Sequence, residues 1–319
     1  MKYNFDPELA GSIEFLPKLS FEDPVAAREE MKSMLVEFGG QLDDAGTMIE
    51  NRTIPGPEGD TGVVVRIYTP EGMNQTSAGL LYIHGGGFAI GDLESEHAEA
   101  IMICRKLEVV VVSVDYRLAP EHPYPAGLED CYAALQWMHS QAAALQVDRE
   151  RIGVRGVSAG GGLAAALALL ARDRGGPPLC FQYLAIPELD DRLQTVSMTE
   201  FTDTPVWHRP NAVLSWKYYL GDRYGPGGEE APIYAAPARA SVAELRGLPP
   251  AYVTTMEFDP LRDEGIEYAL KLLQAGVAVE LHNFPGTFHG SELMAEAEVS
   301  RRGSHEGLEA LRRGLKLER

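Results

Sequence analysis

Gly156-Val157-Ser158-Ala159-Gly160 joins a short strand-like stretch, Arg151 to Arg155, to a helix-prone run, Ala159 to Leu170. A serine flanked by glycines at a strand-to-helix junction is the pattern of a nucleophile elbow. The turn is so sharp that side chains beside the serine would collide, so glycine stands two residues to either side. The hydroxyl is then held clear of the sheet. A helix N-terminus lies behind it, where developing negative charge is favoured. The chemistry such a group suits is attack on an acyl carbonyl.

A serine hydroxyl is a poor nucleophile until a base takes its proton, and the base needs an acid to orient it. With this elbow the chain order is serine, acid, histidine, each on a loop after a strand. Downstream of Ser158 stand His208, His282, His289 and His305. His282 falls within a strand pattern, His305 within the final helix and His208 within an irregular insert. His289 lies in the turn-rich loop Pro285-Gly286-Thr287-Phe288-His289-Gly290, directly after a strand, and is the expected base. For the acid, Asp259 closely follows the strand Ala251 to Met256 and ranks first. Asp263 and Glu257 are its rivals: Asp263 is placed to cap the next helix, and Glu257 is nearly inside the strand.

Acyl transfer also needs N–H donors for an oxyanion. His84-Gly85-Gly86-Gly87 follows the strand Gly79 to Ile83, and glycines there let backbone N–H groups approach a substrate carbonyl. The N–H of Ala159, next to the nucleophile, supplies a further donor. His84 itself is expected to be structural.

These residues must be positioned by a sheet. Strands are expected at Gly62–Tyr68, Gly79–Ile83, Glu108–Val114, Ile152–Arg155, Phe181–Ala185, Ala251–Met256 and Ala278–Asn283. The nearly unbroken β-branched run Glu108–Val114 must be covered on both faces, as central parallel strands are. Helical patterns fall at Glu94–Lys106, Leu128–Ala144, Ala159–Ala171, Glu264–Gln274 and roughly Glu292–Leu317. The helix Ala159–Ala171 is apolar all round and should be buried, with Arg172 to Pro178 as its stop. Alternation of this kind predicts an α/β sheet wound by right-handed crossovers. Two stretches do not fit it: Met1 to about Glu50, with helix-like Pro24–Phe38, and Pro187 to Gly228, with Trp207, Trp216, Tyr218, Tyr219 and Tyr224. Those aromatics either pack a satellite core or line a cap over a pocket, and both roles can fall to different residues.

The net charge of −19 over 319 residues argues against nucleic acid or anionic membrane as a partner, since both would repel such a surface. A neutral small molecule is not steered by it. Cys104, Cys131 and Cys180 are odd in number and widely spaced, with no Cys/His cluster, and read as reduced thiols. The N-terminus has no basic segment followed by an apolar core, and no run reaches the length of a membrane span. A cytoplasmic setting is the expectation.

Five segments carry a resemblance: His84-Gly85-Gly86-Gly87-Phe88; Asp115-Tyr116-Arg117-Leu118-Ala119-Pro120-Glu121-His122-Pro123; Gly156 to Gly161; Asp259-Pro260-Leu261-Arg262-Asp263-Glu264-Gly265; and Phe288-His289-Gly290. In this order the chain resembles the hormone-sensitive-lipase-like branch of the α/β-hydrolase esterases, the bacterial family IV esterases. The resemblance implies one α/β-hydrolase domain with a mostly parallel sheet, helices on both faces and a helical cap. It implies that the two misfit stretches build that cap. The triad would be Ser158, Asp259 and His289, and the oxyanion donors Gly86 and Gly87 with Ala159; Gly85 is the alternative register. Arg117 and Glu121 would be structural. The implied activity is a carboxylesterase on short- to medium-chain acyl esters, working without metal or organic cofactor; dimers through the sheet edge follow by analogy. Two positions depart from the pattern, Val157 before the nucleophile and Ser291 after Gly290. An amidase with the same triad, or a non-catalytic receptor on the same fold, are the competing functions.

Overall fold

The structure is a computed structural model and describes residues 2–16, 20–38, 43–57, 62–225 and 228–318. Among these residues one sheet contains β1 (Thr47–Pro55), β2 (Gly62–Pro70), β3 (Ser77–Ile83), β4 (Val110–Asp115), β5 (Val147–Val157), β6 (Phe181–Ala185), β7 (Ala251–Phe258) and β8 (Val279–Phe288). Their spatial order is β1-β2-β4-β3-β5-β6-β7-β8. β2 runs antiparallel to β1 and β4, and the strands from β4 to β8 are parallel. This is the mostly parallel α/β sheet the strand and helix alternation predicts.

Period-two alternation along the strands sorts two cores. On one face Leu81, Ile83, Val110, Val112, Val114, Ile152 and Val154 pack against α4 (Ala126–Ser140), α5 (Ala159–Asp173) and α8 (Arg262–Gln274). On the other, Leu80, Tyr82, Val109, Val111, Phe181 and Tyr183 meet α3 (His97–Leu107) and α9 (Glu298–Gly314). Both faces of β4 are covered, so its β-branched run needs no polar side. Every residue of α5 from Ala159 to Ala171 is buried, and its small side chains let the helix lie close on the sheet.

Several boundaries differ from the sequence expectation. β1 begins at Thr47, inside the stretch expected to precede the first strand. It is an edge strand with half its residues exposed, so its polar residues mask the alternation. α3 starts at His97 rather than Glu94, and Glu108 turns into the left-handed region (φ 53°) to end it, so the following strand starts later. β5 starts five residues earlier than Ile152. β8 runs on to Phe288, directly up to His289. The last helix starts at Glu298, after a short turn at Ser291–Leu293.

The two irregular stretches contribute α1 (Pro7–Ala10), α2 (Pro24–Phe38), α6 (Val196–Glu200) and α7 (Arg209–Tyr224). They meet over the ends of the parallel strands. Phe21, Ala27, Ala89, Ile90, Met198, Trp207, Ala212 and Leu261 form one buried cluster. Tyr218 donates its hydroxyl to the Phe21 and Glu22 carbonyls, both at 3.1 Å. Trp216 and Tyr219 instead join the main core, Tyr219 stacking on Phe88 at 4.0 Å. The aromatics thus divide between two packing environments.

Candidate active site

Ser158 is the N-cap of α5 and has φ 56°, ψ −120°, a conformation non-glycine residues rarely adopt. Two contacts force the glycines around it. A Cβ on Gly156 would stand 1.9 Å from the Gly160 carbonyl oxygen, and one on Gly160 would stand 2.3 Å from the Ile83 and His84 carbonyl oxygens. Neighbouring backbone holds the strained turn. The Ser158 N–H donates to Ala185 at 2.8 Å, and the Ser158 carbonyl accepts from Gly162 at 3.1 Å and from Glu188 at 3.0 Å.

The three expected residues converge. His289 Nε2 lies 2.9 Å from Ser158 Oγ. His289 Nδ1 lies 2.7 Å from Asp259 Oδ2. A carboxylate accepts only, so Nδ1–H donates to Asp259 and Nε2 is left to accept the serine hydrogen. Ser158 and His289 are each 5% exposed and Asp259 is fully buried. Asp259 also accepts the Leu261 N–H at 2.9 Å. A register shift between β7 and β8 at Met256–Phe258 brings the strand ends together here, the position where bulges re-aim side chains. Burial alone would lower the His289 pKa, but the Asp259 charge and hydrogen bond outweigh it, and the net value lies above the ordinary 6.5.

The rivals are placed elsewhere. Glu257 accepts the Gly286 N–H at 2.6 Å and so braces the turn before His289. Asp263 does not cap α8, whose N-cap is Leu261. It accepts the Ser197 N–H at 2.7 Å and anchors α6, a contact sixty-odd residues away that local sequence cannot reveal. His282 pairs with Glu306 at 2.5 Å and Glu280 at 3.2 Å. His208 stands at the N-cap position of α7 without a side-chain capping bond, and His305 is exposed on α9.

Gly85, Gly86 and Gly87 follow β3 and run beside the elbow. A Cβ on Gly85 would be 3.5 Å from Ser158 Cβ, and one on Gly87 would be 2.6 Å from the rings of Phe21 and Trp207. The Gly86 carbonyl accepts from Ala89 and Ile90, which curls the loop. Among the described residues no protein acceptor takes the N–H groups of Gly86, Gly87 or Ala159. His84 stacks on Tyr116 at 4.2 Å and its Nδ1 reaches the Gly85 carbonyl at 2.7 Å. Burial pushes its pKa down to about 4, with the Gly85 hydrogen bond opposing. Arg117 grips the buried Asp130, and Glu121 binds Arg28 of α2 at 2.8 Å. Neither approaches Ser158 through any of these contacts.

Sequence reasoning missed Phe21, Trp207 as a neighbour of His289 (ring centroids 5.8 Å apart), and Glu188. Glu188 had a usable signal. It directly follows a parallel strand, the end of the sheet where ligands bind in α/β folds.

The sequence profile of the alpha/beta hydrolase fold matches residues 80–293. The chain is 44% identical over 279 residues to Carboxylesterase NlhH of Mycobacterium tuberculosis, covering 84% of this chain and 83% of that protein. It is 39% identical over 290 residues to Esterase LipI of the same organism, covering 89% and 87%. Its structure is similar to one described as a bacterial heroin esterase, with a TM-score of 0.95, 55% identity and 98% of each chain covered. The chain therefore belongs to the alpha/beta hydrolase fold family, in its hormone-sensitive-lipase-like esterase branch.

Proposed function

We propose that this carboxylic ester hydrolase works through Ser158, His289 and Asp259 on short- to medium-chain acyl esters. The observation that carries the reading is the unbroken chain of contacts from Asp259 through His289 to Ser158, at 2.7 and 2.9 Å. Ser158 Oγ attacks the ester carbonyl while His289 Nε2 takes its proton. Asp259 holds the imidazole by Nδ1–H and stabilises its charged form. His289 then gives the proton to the departing alcohol, leaving an acyl-serine. Water, deprotonated by the same imidazole, releases the acid.

The oxyanion of each tetrahedral state is received by the N–H groups of Gly86, Gly87 and Ala159. Their lack of protein acceptors among the described residues supports this assignment, since buried donors are otherwise paired. The Gly85 N–H likewise has no protein acceptor among the described residues and is the alternative donor. α2 with the residues before it, and α6 with α7, act as the cap over the site. Phe21 and Trp207, in edge contact at 5.1 Å, wall the donor loop beside Gly87. The free cysteines suit a reducing, cytoplasmic setting; among the described residues no helix is long and apolar enough to cross a membrane.

The test is hydrolysis of chromogenic esters of rising acyl length by wild type and Ser158→Ala. The variant should lose about 10⁴-fold or more in kcat, and the wild type should prefer acetyl to butyryl chains over long ones. Near-wild-type hydrolysis by Ser158→Ala overturns the mechanism. A bulky acetate ester belongs in the panel, given the similarity to the heroin esterase structure.

A further inference from the structure

Glu188 follows β6 in the turn Ile186-Pro187-Glu188 and is fully buried. Its N–H donates to the Ser158 carbonyl at 3.0 Å, which ties the residue to the elbow. Among the described residues neither of its carboxyl oxygens has a partner in hydrogen-bonding geometry. The Ser215 hydroxyl of α7 is the polar group facing it. That hydroxyl donates elsewhere, to the Gly87 carbonyl at 3.1 Å. A buried polar group left unbonded is destabilising, so its presence beside the elbow calls for a physical reason.

We propose that Glu188, acting through Ser215, is a positioning residue that keeps the Gly85–Gly87 loop in the geometry that receives the oxyanion. The inference rests on the assignment of Gly86 and Gly87 as donors above. A serine hydroxyl has one hydrogen to give. While the Glu188 carboxyl is neutral, that hydrogen goes to the Gly87 carbonyl and fixes the peptide that follows the donor groups. A neutral carboxyl is the weaker acceptor and leaves that bond in place. Once ionised, the carboxylate becomes the stronger acceptor and draws the Ser215 hydrogen to itself. The Gly87 carbonyl is released, and a negative charge stands near the place where the oxyanion must form. Both changes weaken the transition state.

Burial pushes the Glu188 carboxyl up to about 8, against the pull of Ser215 and His289 and with a push from Asp259. The titratable groups around it come from every side. His289 stands at the end of β8, Asp259 after β7, Glu264 on α8 and Tyr116 after β4. One oxygen of the Glu264 carboxyl, Oε1, accepts the N–H groups of Leu189 and Asp190. Glu188 faces the donor loop through the Ser215 hydroxyl.

The experiment is kcat and KM for wild type, Glu188→Gln and Ser215→Ala from about pH 6 to pH 10, across the ordinary histidine and tyrosine ranges. Circular dichroism at each pH checks folding. Wild-type kcat should fall above about pH 8. Glu188→Gln, neutral at every pH and able to donate to Ser215, should lack that fall. Ser215→Ala should lower kcat about tenfold with KM within about twofold, less than the 100- to 1000-fold cost of removing a donor outright. A flat wild-type profile, an alkaline fall retained by Glu188→Gln, or a wild-type kcat in Ser215→Ala would each overturn the inference. If Glu188→Gln does not fold, the Ser215→Ala kcat decides. An active Ser158→Ala would sink the triad; an inactive one beside wild-type behaviour of the other two variants would sink this inference only.

Discussion

Two histidines stand at the same end of the sheet, His84 in the loop after β3 and His289 in the loop after β8, and both are buried. Their chemistry is opposite. His84 meets a tyrosine face and a backbone carbonyl, and burial drives its pKa down to about 4. His289 meets a carboxylate on one nitrogen and a hydroxyl on the other, and its pKa rises. Burial penalises the charged imidazole at both sites. What differs is the ionised partner at Nδ1, which makes the imidazolium affordable in one loop and leaves it forbidden in the other. A base is made by its acid, not by its depth.

The sharpest way to break this contrast is to remove each ring. His289→Ala should reduce kcat by about 10⁴-fold or more, measured as ester hydrolysis under saturating substrate. An effect of less than about 100-fold would show that another group takes the serine proton.

Next in size is Asp259→Asn, which converts the His289 environment toward that of His84. An amide cannot stabilise the imidazolium, and the loss in kcat should approach about 10⁴-fold. The pH profile then sharpens the comparison. In wild type the base works when neutral, so kcat/KM should rise with pH through a midpoint above 6.5. In the variant burial is no longer opposed by Asp259, and the midpoint of the residual activity should move down. An unmoved midpoint would mean that Asp259 does not set the His289 proton affinity.

The smallest effect is expected from His84→Phe, which keeps the stack on Tyr116 and removes the hydrogen bond to Gly85. One neutral hydrogen bond is worth about 1 kcal/mol, so kcat/KM should fall by no more than about tenfold and the melting temperature by a few degrees. The acid-side midpoint should stay at the wild-type value. A shifted midpoint would give His84 a part in proton transfer and erase the distinction between the two rings.

Much of the site was legible along the chain because its constraints are local. Gly156 is demanded by the Gly160 carbonyl within the same turn, and the order serine, acid, histidine follows from successive strand ends. β1 was not legible. Its exposed edge position places polar residues among the apolar ones, and the alternation is lost. Asp263 looked like a helix cap, and its place under α6 depends on Ser197, far off in sequence. Glu188 carried only its place past a strand end, since nothing nearby says that it is sealed from water beside Ser215.

The chain's own residue order was enough to locate a strained serine, a glycine loop after a strand, and a short list of acids and histidines. Backbone sterics and strand-end spacing act over a few residues, so linear reading captures them. Only packing in three dimensions set the opposite proton affinities of His84 and His289 and left Glu188 unbonded behind the donor loop. Those outcomes depend on desolvation and on charges brought within a few ångströms by distant segments, and neither quantity exists until the sheet has closed.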